Sequence, residues 1–480
     1  MFTNVDRASL AIKEAVDNGV RILAYGDYDV DGACAVAISC AFFKYIGYEN
    51  FKIVSYTKRT HHVDPNILIQ ALTSNVGLII LSDTGSGTSD KVEIERLAKV
   101  AKVIVADHHN AKYALEELEN VIFVNPTYFD NFRGASGACV TYEIYKDFIQ
   151  KYQEKSLQDF VKRTVFYPFM SIYSDSVYGN NDYCRLIHKD AQTADIPSEF
   201  NYLKYYSPSK RFALFSFAPP LNACFRNESF NIINNLMFSK KELSFSDKQL
   251  LVDRMEELRD TSRQIVNIIT QQVKYKEIGE FILVDLTGYL NQSVPNHVLW
   301  NNKGLIAGQL AGREKKCVIA IISKGDHYLL SCRDFWGRDI LSLMEPFFKV
   351  GGHSSAFGGY LDMSDVLLLE EVLPSRTFLG AIKDERIVRR FDSLAPNEFQ
   401  KIAYENEFRK ENNLYIVDVP FSHFQVGKSP ERFTEQFESL ILTLPDRRKI
   451  YIPREDWSKQ YSSLKVAIYL TNGLRGVLVR

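Results

Sequence analysis

The chain has 480 residues, 46% of them hydrophobic and 24% charged, which is enough for two to four globular domains, each with its own core. A net charge of −1 argues against a protein that coats nucleic acid by bulk attraction, and leaves open a local basic groove. Seven scattered cysteines (34, 40, 139, 184, 224, 317 and 332) form no CxxC pair, so neither a zinc ribbon nor a disulfide framework is indicated, and a reducing compartment is expected. The opening MFTNVDRASLAIKEAV is amphipathic and lacks an apolar signal core. No stretch reaches the roughly 18 apolar residues of a membrane span. These features predict a cytoplasmic protein.

Between 20 and 125, short apolar runs alternate with helical patterns. The runs 21–24, 52–55, 78–81, 103–106 and 121–124 predict strands, and 33–46, 64–74, 89–99 and 112–119 predict helices. Repeated βα units imply a parallel sheet covered on both faces, with sites at the carboxyl ends of its strands. Residues 136–190 read as helical, and 191–232, with Pro219 and Pro220, as less regular. Residues 240–275 predict one long helix with a sustained apolar stripe and no Gly or Pro. A second α/β pattern starts near 278. Its strands are FILVDL, CVIAII and HYLLSC, and its helices lie around 303–312 and 337–348. Beyond 366, LYIVDV, FESLILTL and LKVAIYL alternate like strands of a small β-rich domain. The expected division is 1–190, 191–276 with the long helix, 277–365 and 366–480.

Acidic and imidazole groups recur at the strand ends. DYDVDG follows the first strand with Asp27, Asp29 and Asp31. Asp83 ends the third, in LIILSDTGSG. Asp107, His108 and His109 end the fourth, in VIVADHHNA. Asp175 ends the apolar run MSIYSDSVYG. Singly, each has an ordinary reading: an Asp after a strand often caps a helix, and Asp-Gly often makes a turn. Together they gather carboxylates that repel one another and are costly to desolvate, a conflict that a divalent cation removes. Carboxylates with imidazole suit Mn²⁺, Mg²⁺ or Fe²⁺, and a pair of ions about 3.5–4 Å apart can share one carboxylate.

In order, DYDVDG, SDTGSG, ADHHN and YSDSV resemble the four motifs of the DHH phosphoesterase superfamily, and DYDVDG in particular resembles its RecJ branch of single-strand-specific exonucleases. FAPPLNACFR at 217–226, the long helix, LLSCRD at 329–334 and GGHSSAFGG at 351–359 extend the likeness into the DHH-associated domain, so it spans about 20 to 365. RecJ proteins commonly carry an OB-fold in the region of the remaining tail.

The resemblance implies a two-metal phosphodiesterase, with Mn²⁺ the expected ion and Mg²⁺ an alternative. It trims single-stranded DNA from the 5′ end in repair, recombination or replication. Asp29 and Asp31 would be ligands to separate ions, with Asp27 in the same cluster. Asp83 would bridge the ions, and His108 and Asp175 would complete the set. His109 would sit near the scissile phosphate, and Asp107 would orient a histidine from behind. Arg333 and His353 would hold phosphate oxygens across the cleft, and Asn222 and Arg226 would do so along the strand. The tail is expected to be either an OB-like strand-binding module or a docking site for a partner such as a single-strand-binding protein.

The chain departs from the family pattern at three places. Tyr25 stands where many members have histidine, Pro220 stands where they tend to have arginine, and VPNHVLWNNKGLIAGQLAG matches its counterpart only loosely. The pair His61-His62 reads as a polar loop near the cleft. Two other functions are compatible with the motifs. One is a phosphodiesterase of oligoribonucleotides or cyclic dinucleotides. The other is a catalytically inactive DHH replication scaffold, which the complete ligand set argues against.

Overall fold

The structure is a computed structural model. It describes residues 2–57, 62–111, 113–175, 177, 181–197, 200, 213–239, 243–292, 294–353 and 355–373, and, further on, residue 422 and the seven strands given below. Two compact units result, one of residues 1–177 and 187–379, the other of 178–186 and 380–480.

The first unit opens with α1 (Val5–Asp17) and a five-stranded parallel sheet of β1 (Ile22–Gly26), β2 (Phe51–Ile53), β3 (Leu78–Ser82), β4 (Lys102–Ala106) and β5 (Val121–Val124). All five predicted strands are present. Their order, β2-β1-β3-β4-β5, makes β1, β3 and β4 neighbours, so the three acid-bearing strand ends lie side by side although β2 intervenes in sequence. β1 and β3 are buried at every position, which accounts for their unbroken apolar runs.

Helices α2 (Val30–Ile46), α3 (Asn66–Ser74) and α4 (Asp90–Ala98) connect the strands. The helix predicted at 112–119 is only a single 3₁₀ turn, Leu115–Glu117. α2 is apolar round its whole circumference because it lies between the sheet and α6 (Gly137–Tyr152) and α8 (Phe166–Ser174). Two shorter helices, α5 (Pro126–Phe129) and α7 (Leu157–Thr164), precede α6 and α8, and α9 (Asp182–Ala191) follows.

From 218 onward the chain is more regular than its prolines suggested. α10 (Ala218–Arg226) takes Pro219 and Pro220 into its first turn, where the missing N–H costs nothing, and α11 (Phe230–Phe238) follows. The long helix α12 runs Phe245–Gln272, starting where the Ser244 side chain accepts from Asp247 N.

A second sheet comprises β6 (Lys276–Ile278), β7 (Phe281–Asp285), β8 (Cys317–Lys324), β9 (His327–Asp334), β10 (Lys349–His353) and β11 (Ala356–Leu361), in the order β10-β11-β9-β8-β7-β6. β7 and β8 are parallel, joined by α13 (Asn296–Glu314). α12 and α13 pack on one face of this sheet, against Val318, Ala320 and Leu329. On the other face, α14 (Leu341–Met344) and α15 (Met363–Val372) pack against Ile319, Cys332 and Phe357. The helix expected over 337–348 is thus one turn long. Most of GGHSSAFGG lies in two paired strands, β10 and β11.

The second unit holds a mixed seven-stranded sheet of β12 (Ile387–Arg390), β13 (Tyr415–Pro420), β14 (Phe424–Lys428), β15 (Glu438–Thr443), β16 (Lys449–Pro453), β17 (Ser463–Thr471) and β18 (Gly473–Leu478). Its order is β12-β13-β17-β18-β16-β15-β14, a β-rich tail as the alternation predicted. Among the described residues no helix is long and apolar enough to cross a membrane.

Candidate metal centre

β1 ends in Gly26, and the chain turns straight into α2 through Asp27, Tyr28 and Asp29. The turn is tight because Gly32 lies against Asp27: a Cβ on Gly32 would stand 2.3 Å from the Asp27 carbonyl oxygen. The glycine of DYDVDG is therefore a close-packing residue rather than a turn residue. Gly32→Ala is expected to cost about 3 kcal/mol or more, since backbone must move, and to lower the melting temperature measurably.

Asp29 caps α2, its Oδ1 accepting from Gly32 N at 3.0 Å. Asp31, in the first turn, is buried. Its Oδ2 accepts from Gly137 N at 2.7 Å and its Oδ1 from Ala138 N at 2.8 Å, at the start of α6, and the Ser171 hydroxyl also donates to it. The positive end of α6 thus fixes this carboxylate.

Asp83 follows β3 in the left-handed region, at φ 61. Gly137 presses on it from α6, where a Cβ would come within 2.4 Å of the Asp83 Cβ. His108 Nε2 lies 3.3 Å from Asp83 Oδ1, 3.3 Å from Asp175 Oδ2 and 3.7 Å from Asp31 Oδ2. Asp175 closes α8.

His109 Nδ1 meets Asp107 Oδ1 at 2.8 Å, and Asp107 Oδ2 accepts from Ser86 N at 3.0 Å. The loop carrying both histidines is held from behind. Thr127 Oγ1 donates to the His108 carbonyl at 2.7 Å, and Asn125 Nδ2 donates to the His109 carbonyl at 2.9 Å.

Among the described residues, three groups each bring their donor atoms within 4.8 Å of one another: Asp27, Asp29 and Asp83; Asp31, His108 and Asp175; and Asp83, His108 and His109. Asp29 and Asp31 lie in different groups, and Asp83 belongs to two of the three. Both carboxylate oxygens of Asp83 are buried and, among the described residues, receive no hydrogen bond.

Burial, compounded by the neighbouring aspartates, pushes Asp29 up to about 7 and Asp83 well above the carboxylate range. Burial also lowers His108, with His109 adding to the effect, and so keeps its ring neutral. For His109, burial opposes the charged form, but Asp107 outweighs it and raises the ring to about 10. Crowded carboxylates, of which Asp83 has no donor on either oxygen among the described residues, beside the His108 imidazole, make a candidate metal site.

Tyr25, the replacement for histidine, is buried in β1, and its hydroxyl donates to the His62 carbonyl at 3.4 Å. Of the pair His61-His62, His61 lies outside the described residues, while His62 Nδ1 lies 2.9 Å from Ser89 Oγ.

Asn222 and Arg226 share one face of α10, four residues apart, and the Arg226 carbonyl accepts from Asn301 Nδ2 of α13 at 3.0 Å. Arg333 stands on β9. Its Nη1 donates to the Cys332 carbonyl at 2.6 Å, and among the described residues it has no carboxylate partner. His353 stands on β10, and its side chain lies outside the described residues.

Ser171, Asn125, Thr127 and Gly137 were not foreseen. Only Asn125 left a trace in the sequence, as an Asn-Pro pair directly after a strand that announces a capped helix start.

Residues 21–165 match the DHH family, N-terminal domain. By sequence the chain is similar to the single-stranded-DNA-specific exonuclease RecJ of Escherichia coli (strain K12), 30% identical over 147 residues, which is 30% of this chain and 25% of that protein. The match therefore spans about a quarter of the relative's own length. By fold it is similar to RecJ from Thermus thermophilus in complex with Mn²⁺, with a TM-score of 0.71 at 15% identity, covering 100% of this chain and 71% of that one. The same protein in complex with Mg²⁺ gives 0.66 at 15% identity, covering 100% and 70%.

Proposed function

We propose that the chain is a metal-dependent phosphodiesterase that degrades single-stranded DNA from its 5′ end. The observation that carries this is the buried Asp83 carboxylate, without a hydrogen-bond donor on either oxygen among the described residues, common to two groups of ligand atoms. Asp27, Asp29 and Asp83 would hold one ion, and Asp31, Asp83, His108 and Asp175 the other, with Mn²⁺ preferred and Mg²⁺ accepted. Bound there, such ions lower the pKa of water and offset negative charge on a phosphoryl group.

The chain's own residues do the rest. His109, held by Asp107, donates to a phosphate oxygen, and Arg333 and His353 neutralise charge on the same group from the second lobe. Asn222 and Arg226 hold the phosphates that follow. On this reading residues 1–190 are the catalytic domain, 191–276 the connector and 277–365 the substrate-binding domain. Residues 366–480 are an OB-like module for long strands or a single-strand-binding protein, in the setting of cytoplasmic DNA repair, recombination or replication.

The test uses 5′-labelled and 3′-labelled single strands with Mn²⁺, Mg²⁺ or EDTA. Metal-dependent release of label from the 5′ end is expected. Absence of cleavage with either metal would overturn the proposal.

A further inference from the structure

The face of the second sheet that α13 covers continues, open, onto β11 and β10. Strand register sets three rows across it: Arg333, Ala356 and His353; Ser331, Gly358 and Gly351; Leu329, Tyr360 and Lys349. The four glycines of the hairpin differ in what requires them. Gly352 needs its left-handed φ of +136, and a Cβ on Gly359 would strike the Lys349 carbonyl at 2.5 Å. At Gly351 a Cβ would meet nothing within 4 Å, and at Gly358 only the Leu330 carbonyl at 3.3 Å. Among the described residues, the two glycines of the middle row are therefore bare backbone with room above it, beside Ser331.

At one end of this face the Arg333 guanidinium folds back so that Nη1 reaches Ser331 Oγ at 3.3 Å, and α13 walls it at Gly304. At the other end Tyr360 is 57% exposed, with its ring 5.5 Å from that of His327 and Lys349 exposed beside it. Four residues of strand separate the two ends, about 13 Å. A stacked strand advances about 3.4 Å per nucleotide, so a chain with a phosphate at Arg333 must run on for several nucleotides to reach Tyr360.

We infer that Tyr360, with Lys349 beside it, is a base-stacking station that grips a single strand behind the nucleotide being removed; this rests on the nuclease reading above. An exposed ring beside a cation, next to the bare backbone of Gly351 and Gly358, suits the face of any base, and such a contact gives affinity without sequence preference. It also gives length preference, because a dinucleotide engages Arg333 and falls short of Tyr360.

The test compares initial rates of the full chain in Mn²⁺ on a long oligothymidylate and on the dinucleotide pTpT. Tyr360→Ala is expected to raise KM for the long strand about ten-fold with kcat unchanged, and to leave pTpT kinetics as they are. Tyr360→Phe, which keeps the ring, is expected to behave as wild type. Gly351→Val puts a strand-favouring side chain into the open space, so it should keep the melting temperature and raise long-strand KM. If the wild-type chain degrades both substrates while Tyr360→Ala leaves long-strand KM unchanged, or shifts both substrates equally, the station is overturned and the nuclease reading stands. A wild-type chain that degrades neither overturns both.

Discussion

An Asp83→Asn chain is expected to fold and to bind a single strand, yet to release nucleotide in Mn²⁺ about a thousand-fold more slowly than wild type, or worse. Asparagine is the instructive replacement. Position 83 sits at φ 61, which asparagine tolerates far better than alanine does, and the volume is unchanged, so Gly137 still fits against it. What is lost is one negative charge that two groups of ligand atoms share. A thousand-fold corresponds to about 4 kcal/mol of barrier, within what metal-assisted charge stabilisation supplies. Labelled-strand release measures the rate, and retention on a filter in EDTA measures binding. Turnover near the wild-type level would dissociate Asp83 from the chemistry.

The second large effect concerns stability without metal. Asp29 rises to about 7 because burial and its aspartate neighbours disfavour its charge. A carboxyl whose folded pKa lies above its unfolded value binds more protons in the folded state. Its contribution therefore falls as pH climbs from about 4 to about 7, and is recovered on acidification. In EDTA, wild type should melt below Asp29→Asn at pH 7.5 by an amount on the order of 5 °C, and the gap should narrow by pH 5. Adding Mn²⁺ should raise the wild type and leave the variant behind. A gap that is independent of both pH and metal would mean that the carboxylates do not repel.

The metal-binding candidates could be read from the sequence because their signal is positional. A buried parallel strand shows as an unbroken apolar run, and whatever polar residue breaks the run stands at the sheet's carboxyl edge. Asp27, Asp83 and Asp107 declare themselves in this way. The ordinary reading of Asp29 as a helix cap holds, since one oxygen caps α2, and the residue also falls in one of the groups of donor atoms.

The supports of the site could not be read. Asp31 is held by Gly137, Ala138 and Ser171, more than a hundred residues away, and no local pattern encodes a contact of that range. The prolines at 219–220 misled for a different reason: a proline-rich run signals irregularity unless the helix start that absorbs it is known. The strands within GGHSSAFGG could not be read either, because glycine is poor in strands on average, whereas here close backbone approach calls for it at Gly352 and Gly359.

One contact bears on how the chain matures. Just past the edge strand β2, the Asn234 side chain of α11 takes the place of a missing strand, accepting from Tyr56 N and donating to the Tyr56 carbonyl, each at 2.9 Å. Tyr56 in turn donates to the Asp27 carbonyl at 2.8 Å. The backbone under the first aspartate is thus secured by a residue made well after the last strand of that sheet. At about 5–20 residues per second of synthesis, the finished sheet waits on the order of 10 s for its clasp. During that interval the nascent chain carries an unclosed edge and uncovered tyrosines, which makes this the stage at which a ribosome-bound chaperone would matter most.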